Sequence, residues 1–258
     1  MISADRDLDE QNRIALLARR AIADLARGGG AARVADLDAT VATLSEAAIL
    51  PDPAPFAQAV DRLIRQGIGT DTLIDIVLPE TARRLGQHWC DDRLSFLDVT
   101  VGSARVQDAL VAATRRARPA GPPPPDQPQA AIIVPLGEDH RIGAIAACHA
   151  FERRGVRMRL IVGQPEDALA ETLREDGFVF AGFSVSSAKA MDLTTSLVEN
   201  LRRKHEIELP MVLGGPASSG APSDLAETND VLVTSDPGAV IEALGIRAVA
   251  APGKQAAS

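Results

Sequence analysis

The sequence contains no tyrosine, one tryptophan and six phenylalanines among 258 residues. Aromatics make up 3% of the chain, while hydrophobic residues together reach 46%. Alanine and leucine must therefore fill the interior, which favours packed helices over a β-sandwich built on bulky side chains. Cysteine is nearly missing: Cys90 and Cys148 are the only two. Thiols so few and so far apart exclude a disulfide framework and a structural zinc site, and both are expected to be buried and reduced in a cytoplasmic chain. The charged opening stretch MISADRDLDEQNRIALLARR lacks a signal-peptide core. No apolar run approaches the roughly 18 residues of a membrane span. An excess of basic charge is missing too, since 35 acidic against 27 basic side chains leave a net charge of -8. Such a chain has no net attraction for a polyanion, and it shows no helix-turn-helix with a basic recognition helix. Direct nucleic-acid binding is not expected.

Six prolines fall between positions 119 and 128. This segment favours extended polyproline II and reads as a semi-rigid linker, 117–129, between unlike halves. Residues 10–116 carry only helical periodicity and predict a helical bundle. Ile14, Leu17, Ile22 and Leu25 mark a first helix stopped by Gly28–Gly30. Leu37, Val41 and Leu44 mark a second, and Phe56, Val60, Leu63 and Ile64 a third. A fourth, capped by Thr70 or Asp71, runs to Leu85 and Trp89 with a kink at Pro79. Ser95 and Asp98 form a capping box for a fifth.

After the linker the pattern alternates. Apolar runs at 131–134, 157–162, 178–183, 211–213 and 231–233 are separated by helical patterns at 144–154, 166–175, 190–204 and 237–244. Residues 130–248 are thus expected to form a flavodoxin-like, Rossmann-like α/β domain with a five-stranded parallel sheet. Ligands of such sheets bind beyond the carboxyl ends of the strands.

Three of those loops hold candidate chemistry. The first reads Gly137-Glu138-Asp139-His140-Arg141-Ile142-Gly143. An imidazole at the top of a sheet is a good transition-metal ligand, and Glu138 is placed to orient it. Taken alone, it reads as an exposed histidine in a charged turn. The loop Ser184-Val185-Ser186-Ser187 and the loop Gly214-Gly215-Pro216 read alone as ordinary strand-to-helix turns.

Together the three loops resemble the cobalamin-binding domain family, whose pattern is Asp-x-His-x-x-Gly, then Ser-x-Leu, then Gly-Gly. The resemblance implies that His140 is the lower cobalt ligand, replacing the dimethylbenzimidazole tail of the cofactor. It places the displaced tail beside Ser184, Gly214 and Gly215, and it implies cofactor contacts from Glu138, Asp139, Gly143 and Ser186 as well. The chain departs from the pattern twice, with Glu138 for aspartate and Ser186 for leucine.

In that family a helical cap covers the upper corrin face. Residues 85–100 resemble its signature helix pair, which would set Trp89 over the corrin; bundle core is the alternative for this side chain. Cobalamin-dependent photoreceptor repressors carry a Glu-His pair where this chain has Val99 and Thr100. The string from Trp89 to Gln107 and the motif Gly-Glu-Asp-His are closer to the AerR/PpaA-type antirepressors of photosynthesis-gene control in purple bacteria, and to a related haem-binding sensor domain. This implies a regulator, not an enzyme. It would bind adenosyl-, methyl- or hydroxocobalamin, respond to light or redox state, and act through a PpsR/CrtJ-like DNA-binding repressor. The alternatives are a corrinoid shuttle protein of a methyltransferase system and haem at the same histidine. His88 reads as a surface histidine, with the upper cobalt face as its alternative. His149 and His205 read as structural or solvent-facing.

Overall fold

The first half folds because its apolar positions repeat at helical spacing and its helix ends are marked. A computed structural model describes residues 36–118, 121–221 and 231–247; the helix expected over Ile14–Leu25 lies outside them. Helix α1 (Leu37–Ala48) is opened by the Asp36 carboxylate, which accepts from the Ala39 amide, and it buries Val41, Leu44 and Ala48. Its carbonyl end is closed from a distance, because the Arg105 guanidinium donates to the Ala48, Leu50 and Pro51 carbonyls. Helix α2 (Ala54–Arg65) follows Pro53 and buries Phe56 and Val60.

The next helical stretch has three parts: α3 (Thr70–Thr72), a π-helical turn (Leu73–Val77) and α4 (Leu78–Cys90). Neither Thr70 nor Asp71 caps it. Gly69 precedes it without a side-chain cap, and Asp71 is engaged elsewhere. A π-helical turn lies directly ahead of Pro79. A proline has no N–H to donate back along the helix, and its ring crowds the carbonyl four residues earlier. The turn ahead of it relaxes to π geometry, with the Leu78 amide bonding the Leu73 carbonyl. Leu73, Ile74, Val77 and Leu78 are all buried there. Helix α5 (Phe96–Ala117) starts with the expected capping box of Ser95 and Asp98. It crosses α4 closely at Gly102, where a Cβ would come 2.9 Å from Leu85 Cδ1.

The second half is a five-stranded, wholly parallel sheet of order β2-β1-β3-β4-β5. Its strands are β1 (Gln129–Val134), β2 (Arg157–Val162), β3 (Ala181–Ser184), β4 (Met211–Gly214) and β5 (Val231–Val233). β3 begins later than the apolar run at 178–183, although the Val179 amide and Phe180 carbonyl already bond the β1 backbone. Helices α7 (Glu166–Glu175) and α8 (Ala188–Arg203) cover one face, burying Ile133, Phe183 and Leu213. Helices α6 (Ile142–Glu152) and α9 (Pro237–Ala243) cover the other, over Ile132, Val134 and Val212.

Helix α6 has a second set of partners. Ile145, with Ile142 and Ala146 beside it, joins the apolar core of the helical bundle. This helix leads directly out of the loop after β1, so the bundle rests on the element that follows His140.

The crossover from β1 goes to one side and β3 lies on the other, so the loops after β1 and β3 flank the switch point of the sheet. The loop after β4 comes still closer to β3. Gly215 has φ +118, and a Cβ there would stand 2.4 Å from the Val185 carbonyl oxygen. Gly215→Ala therefore meets both a disfavoured backbone conformation and a backbone clash. It should lower unfolding stability by about 2 kcal/mol or more, read by denaturant titration. An unchanged midpoint would refute this account of the turn.

Candidate functional site

The loop after β1 is turned by Gly137 at φ +90 and tied by the Glu138 amide donating to the Pro135 carbonyl. The turn drives Glu138 inward, leaving that residue 7% exposed. Its carboxylate is held from two loops. Oε1 accepts the His140 backbone amide at 2.7 Å and faces His140 Nδ1 at 2.5 Å. Oε2 accepts the Ser186 hydroxyl at 2.6 Å. Burial raises the Glu138 carboxyl, but the Ser186 hydroxyl, the His140 amide and the imidazole outweigh it and hold it below the ordinary glutamate value.

An ionised carboxylate can only accept, so Nδ1 must carry the imidazole proton. In the neutral imidazole Nε2 is then left with its lone pair. The His140 side chain is 75% exposed, and no described residue hydrogen-bonds Nε2. An exposed imidazole whose other nitrogen is clamped to a buried carboxylate has the arrangement of a metal-ligating histidine.

The remaining candidates gather around it unequally. Asp139 is exposed on the same turn. Gly143, the second residue of α6, is exposed, and a Cβ there would meet nothing within 4 Å. The protein's own packing does not require a glycine at 143, and the space beside His140 stays open. Ser184 ends β3 opposite Gly214 in register. Gly214 and Gly215 are explained by the chain itself, because a Cβ on Gly214 would lie 3.0 Å from the Thr234 carbonyl and Gly215 abuts Val185. Sequence reasoning missed Ser235, whose hydroxyl accepts the Gly215 amide at 2.9 Å. Its signal was its place in the loop after β5, on the same edge of the sheet.

At the end of α4, Trp89 is 49% exposed, and Phe96 and Leu97 beside it in sequence are exposed as well. Bundle core is therefore not the role of this indole. Cys90, expected to be buried, is exposed; Cys148 is buried, with burial pushing its thiol up to about 12. His88 is half-buried, and its imidazole is lowered by that burial and by the Arg93 and Arg84 charges. His205 lies in an ion cluster in which Glu166 is held down to about 2 by Asn200, His205 and Lys204. His149 is buried against Asp71.

No family model matches the chain. A curated relative, a 20.5 kDa protein of the bchF-crtJ intergenic region of Rhodobacter capsulatus, is 29% identical over 164 residues, covering 64% of this chain and 85% of the relative. Among solved structures, the monomethylamine corrinoid protein of Methanosarcina barkeri superimposes with a TM-score of 0.61 at 13% identity, covering 81% of this chain and 95% of that one. The chain thus has the fold of a corrinoid protein, with a helical region followed by a five-stranded parallel sheet. Among the described residues no helix is long and apolar enough to cross a membrane.

The hydroxyl of Ser186 is the strongest of the groups that lower Glu138. Ser186→Ala should move the Glu138 titration upward, followed by NMR of the carboxyl carbon. In the parent protein the depressed carboxyl adds stability that is present above the ordinary glutamate value. That stability is lost as pH falls through the lower folded one. An unmoved titration in the variant would show that the hydroxyl does not hold the carboxylate.

Proposed function

We propose that this protein binds a cobalamin with His140 Nε2 as the lower ligand to cobalt. We propose further that it is a cytoplasmic regulator acting through a DNA-binding repressor of the PpsR/CrtJ type. The observation that carries the binding is the chain Ser186–Glu138–His140, which fixes the imidazole tautomer and leaves a free, exposed nitrogen. Likeness of fold to a corrinoid protein supports it. Cobalamin, when bound, supplies a cobalt centre whose upper ligand is exchanged or lost on illumination.

The chain's own residues then divide the work. His140 donates the lone pair, Glu138 sets the ring's orientation, and Ser186 holds Glu138 ionised. Asp139 and Gly143 border the cofactor, Gly143 leaving room where a side chain would intrude. Ser184, Gly214 and Gly215 flank the groove for the nucleotide tail. The exposed indole of Trp89 covers the upper face and excludes water there. A regulatory role is supported by the relative's place beside crtJ, the name borne by the expected type of partner. A shift of the bundle can follow from the cofactor only to the extent that its state binds one arrangement better than another. The corrinoid shuttle reading is favoured by the likeness to a monomethylamine corrinoid protein, and a methyl-transfer assay with a thiol acceptor separates it from regulation.

Protein loaded with hydroxocobalamin should be red, with an absorption spectrum distinct from a haem Soret band. His140→Ala should lose the histidine-ligated spectrum, and Glu138→Gln should weaken binding about 10- to 100-fold. A His140→Ala spectrum identical to that of the parent would sink the assignment. With an alkylcobalamin bound, Trp89→Ala should retain the cofactor but lose its upper ligand faster in light; equal rates would remove Trp89 from the site.

A further inference from the structure

The two halves of the protein meet through helix α6, and the contact has two parts. One is apolar and thin: among the described residues Ile145 is the only buried α/β-domain residue in the bundle's core, with Ile142 and Ala146 partly buried beside it. The other is charged. His149, 3% exposed, places Nε2 at 2.9 Å from Asp71 Oδ1. The Arg153 guanidinium donates to Asp75 Oδ2 at 2.6 Å and stands 3.3 Å from Asp71 Oδ2. Asp71 belongs to α3 and Asp75 to the π-helical turn, so both carboxylates come from the bundle, the imidazole comes from α6 and the guanidinium from its C-cap residue. A third polar contact, Arg118 with Glu152, lies where the chain leaves the bundle for the linker and is tethered there.

Burial pushes the Asp75 carboxyl above its ordinary value despite the nearby Arg153, while the His149 hydrogen bond leads the causes that lower Asp71. One carboxylate is thus held comfortably and the other only by its cation. Desolvation offsets much of the attraction within such a cluster, but removing one partner leaves the other buried and unpaired, and a thin apolar contact then allows relative motion of the domains.

We propose that Asp71, Asp75, His149 and Arg153 form a releasable latch that clamps the helical bundle onto the helix leading out of the His140 loop. Releasing it separates the bundle from α6 while each half keeps its own core. The π-helical turn imposed by Pro79 carries one of the two carboxylates, so the latch residue sits on the least regular part of the bundle. The inference concerns the chain without any cofactor and does not depend on what His140 binds.

Double electron–electron resonance on the full chain, with no ligand added, tests it. Spin labels go on the exposed Cys90 and on an introduced Ser196→Cys on α8; the buried, weakly acidic Cys148 stays unlabelled. The labelled parent should show one narrow distance distribution. Asp71→Asn with Asp75→Asn should add a longer population with far-UV circular dichroism unchanged, and Arg153→Gln alone should broaden the distribution less. A distribution unchanged in both variants overturns the latch. So does loss of helical signal in both, because the cluster would then belong to the fold rather than to a joint.

Discussion

A carboxylate removed from water must find donors or it will not stay ionised, and an uncompensated buried charge costs several kcal/mol. Glu138 meets that condition with three donors drawn from two loops: the Ser186 hydroxyl, the His140 amide and the His140 ring. The consequences reach beyond the residue itself. The loop after β1 is pinned to the loop after β3 across the switch point of the sheet. The imidazole loses its choice of tautomer, and its outer nitrogen is presented to solvent in one direction. The sheet order makes this possible, since only with β1 and β3 adjacent do the two loops stand close enough to share one carboxylate.

Much of the scaffold was legible because its signals are local. The capping box of Ser95 and Asp98 is written in residues three apart, and it formed. The alternation of apolar runs with helical patterns after the prolines yields a parallel sheet, since strands joined by helices have few other ways to pack. What resisted reading depends on distant partners. The sequence places Glu138 beside His140 as its orienting carboxylate, but nothing near it in sequence announces that the acid is buried. The hydroxyl that buries with it is 48 positions away. Cys90 and Trp89 are exposed because the positions that pack α4 into the bundle, Leu78, Thr81 and Leu85, end a turn before them. Gly214 and Gly215 are a further case. They read as a ligand groove, and the backbone approach that also calls for glycine there comes from Val185 and Thr234, which the sequence does not place beside them.

Helix α6 connects these observations. A helix that covered only its own sheet would need one apolar stripe, and the other side would be free to carry charge. Here Ala144, Cys148 and Phe151 face the sheet, while Ile142, Ile145 and Ala146 face the bundle. The helix is consequently apolar around most of its girth, and its charged contacts are crowded into the last turns. Because α6 begins two residues after His140, any displacement of the bundle acts on the element next to the imidazole, without an intervening flexible segment.

The two departures from the cobalamin-binding pattern take on a different meaning once their positions in space are known. Glutamate in place of aspartate and serine in place of leucine look like independent losses when read along the chain. In the fold they touch, Ser186 Oγ lying 2.6 Å from Glu138 Oε2. A leucine at 186 would offer that oxygen no donor, and the buried acid would then lose one of its three hydrogen bonds, at about 1–3 kcal/mol for the group left unpaired. In the longer glutamate side chain one carboxylate oxygen serves both the His140 amide and Nδ1 while the other meets the serine. Each substitution supplies what the other requires. An acid one methylene longer and a hydroxyl where the pattern has a leucine form a matched pair, and through it the imidazole is tied to both loops.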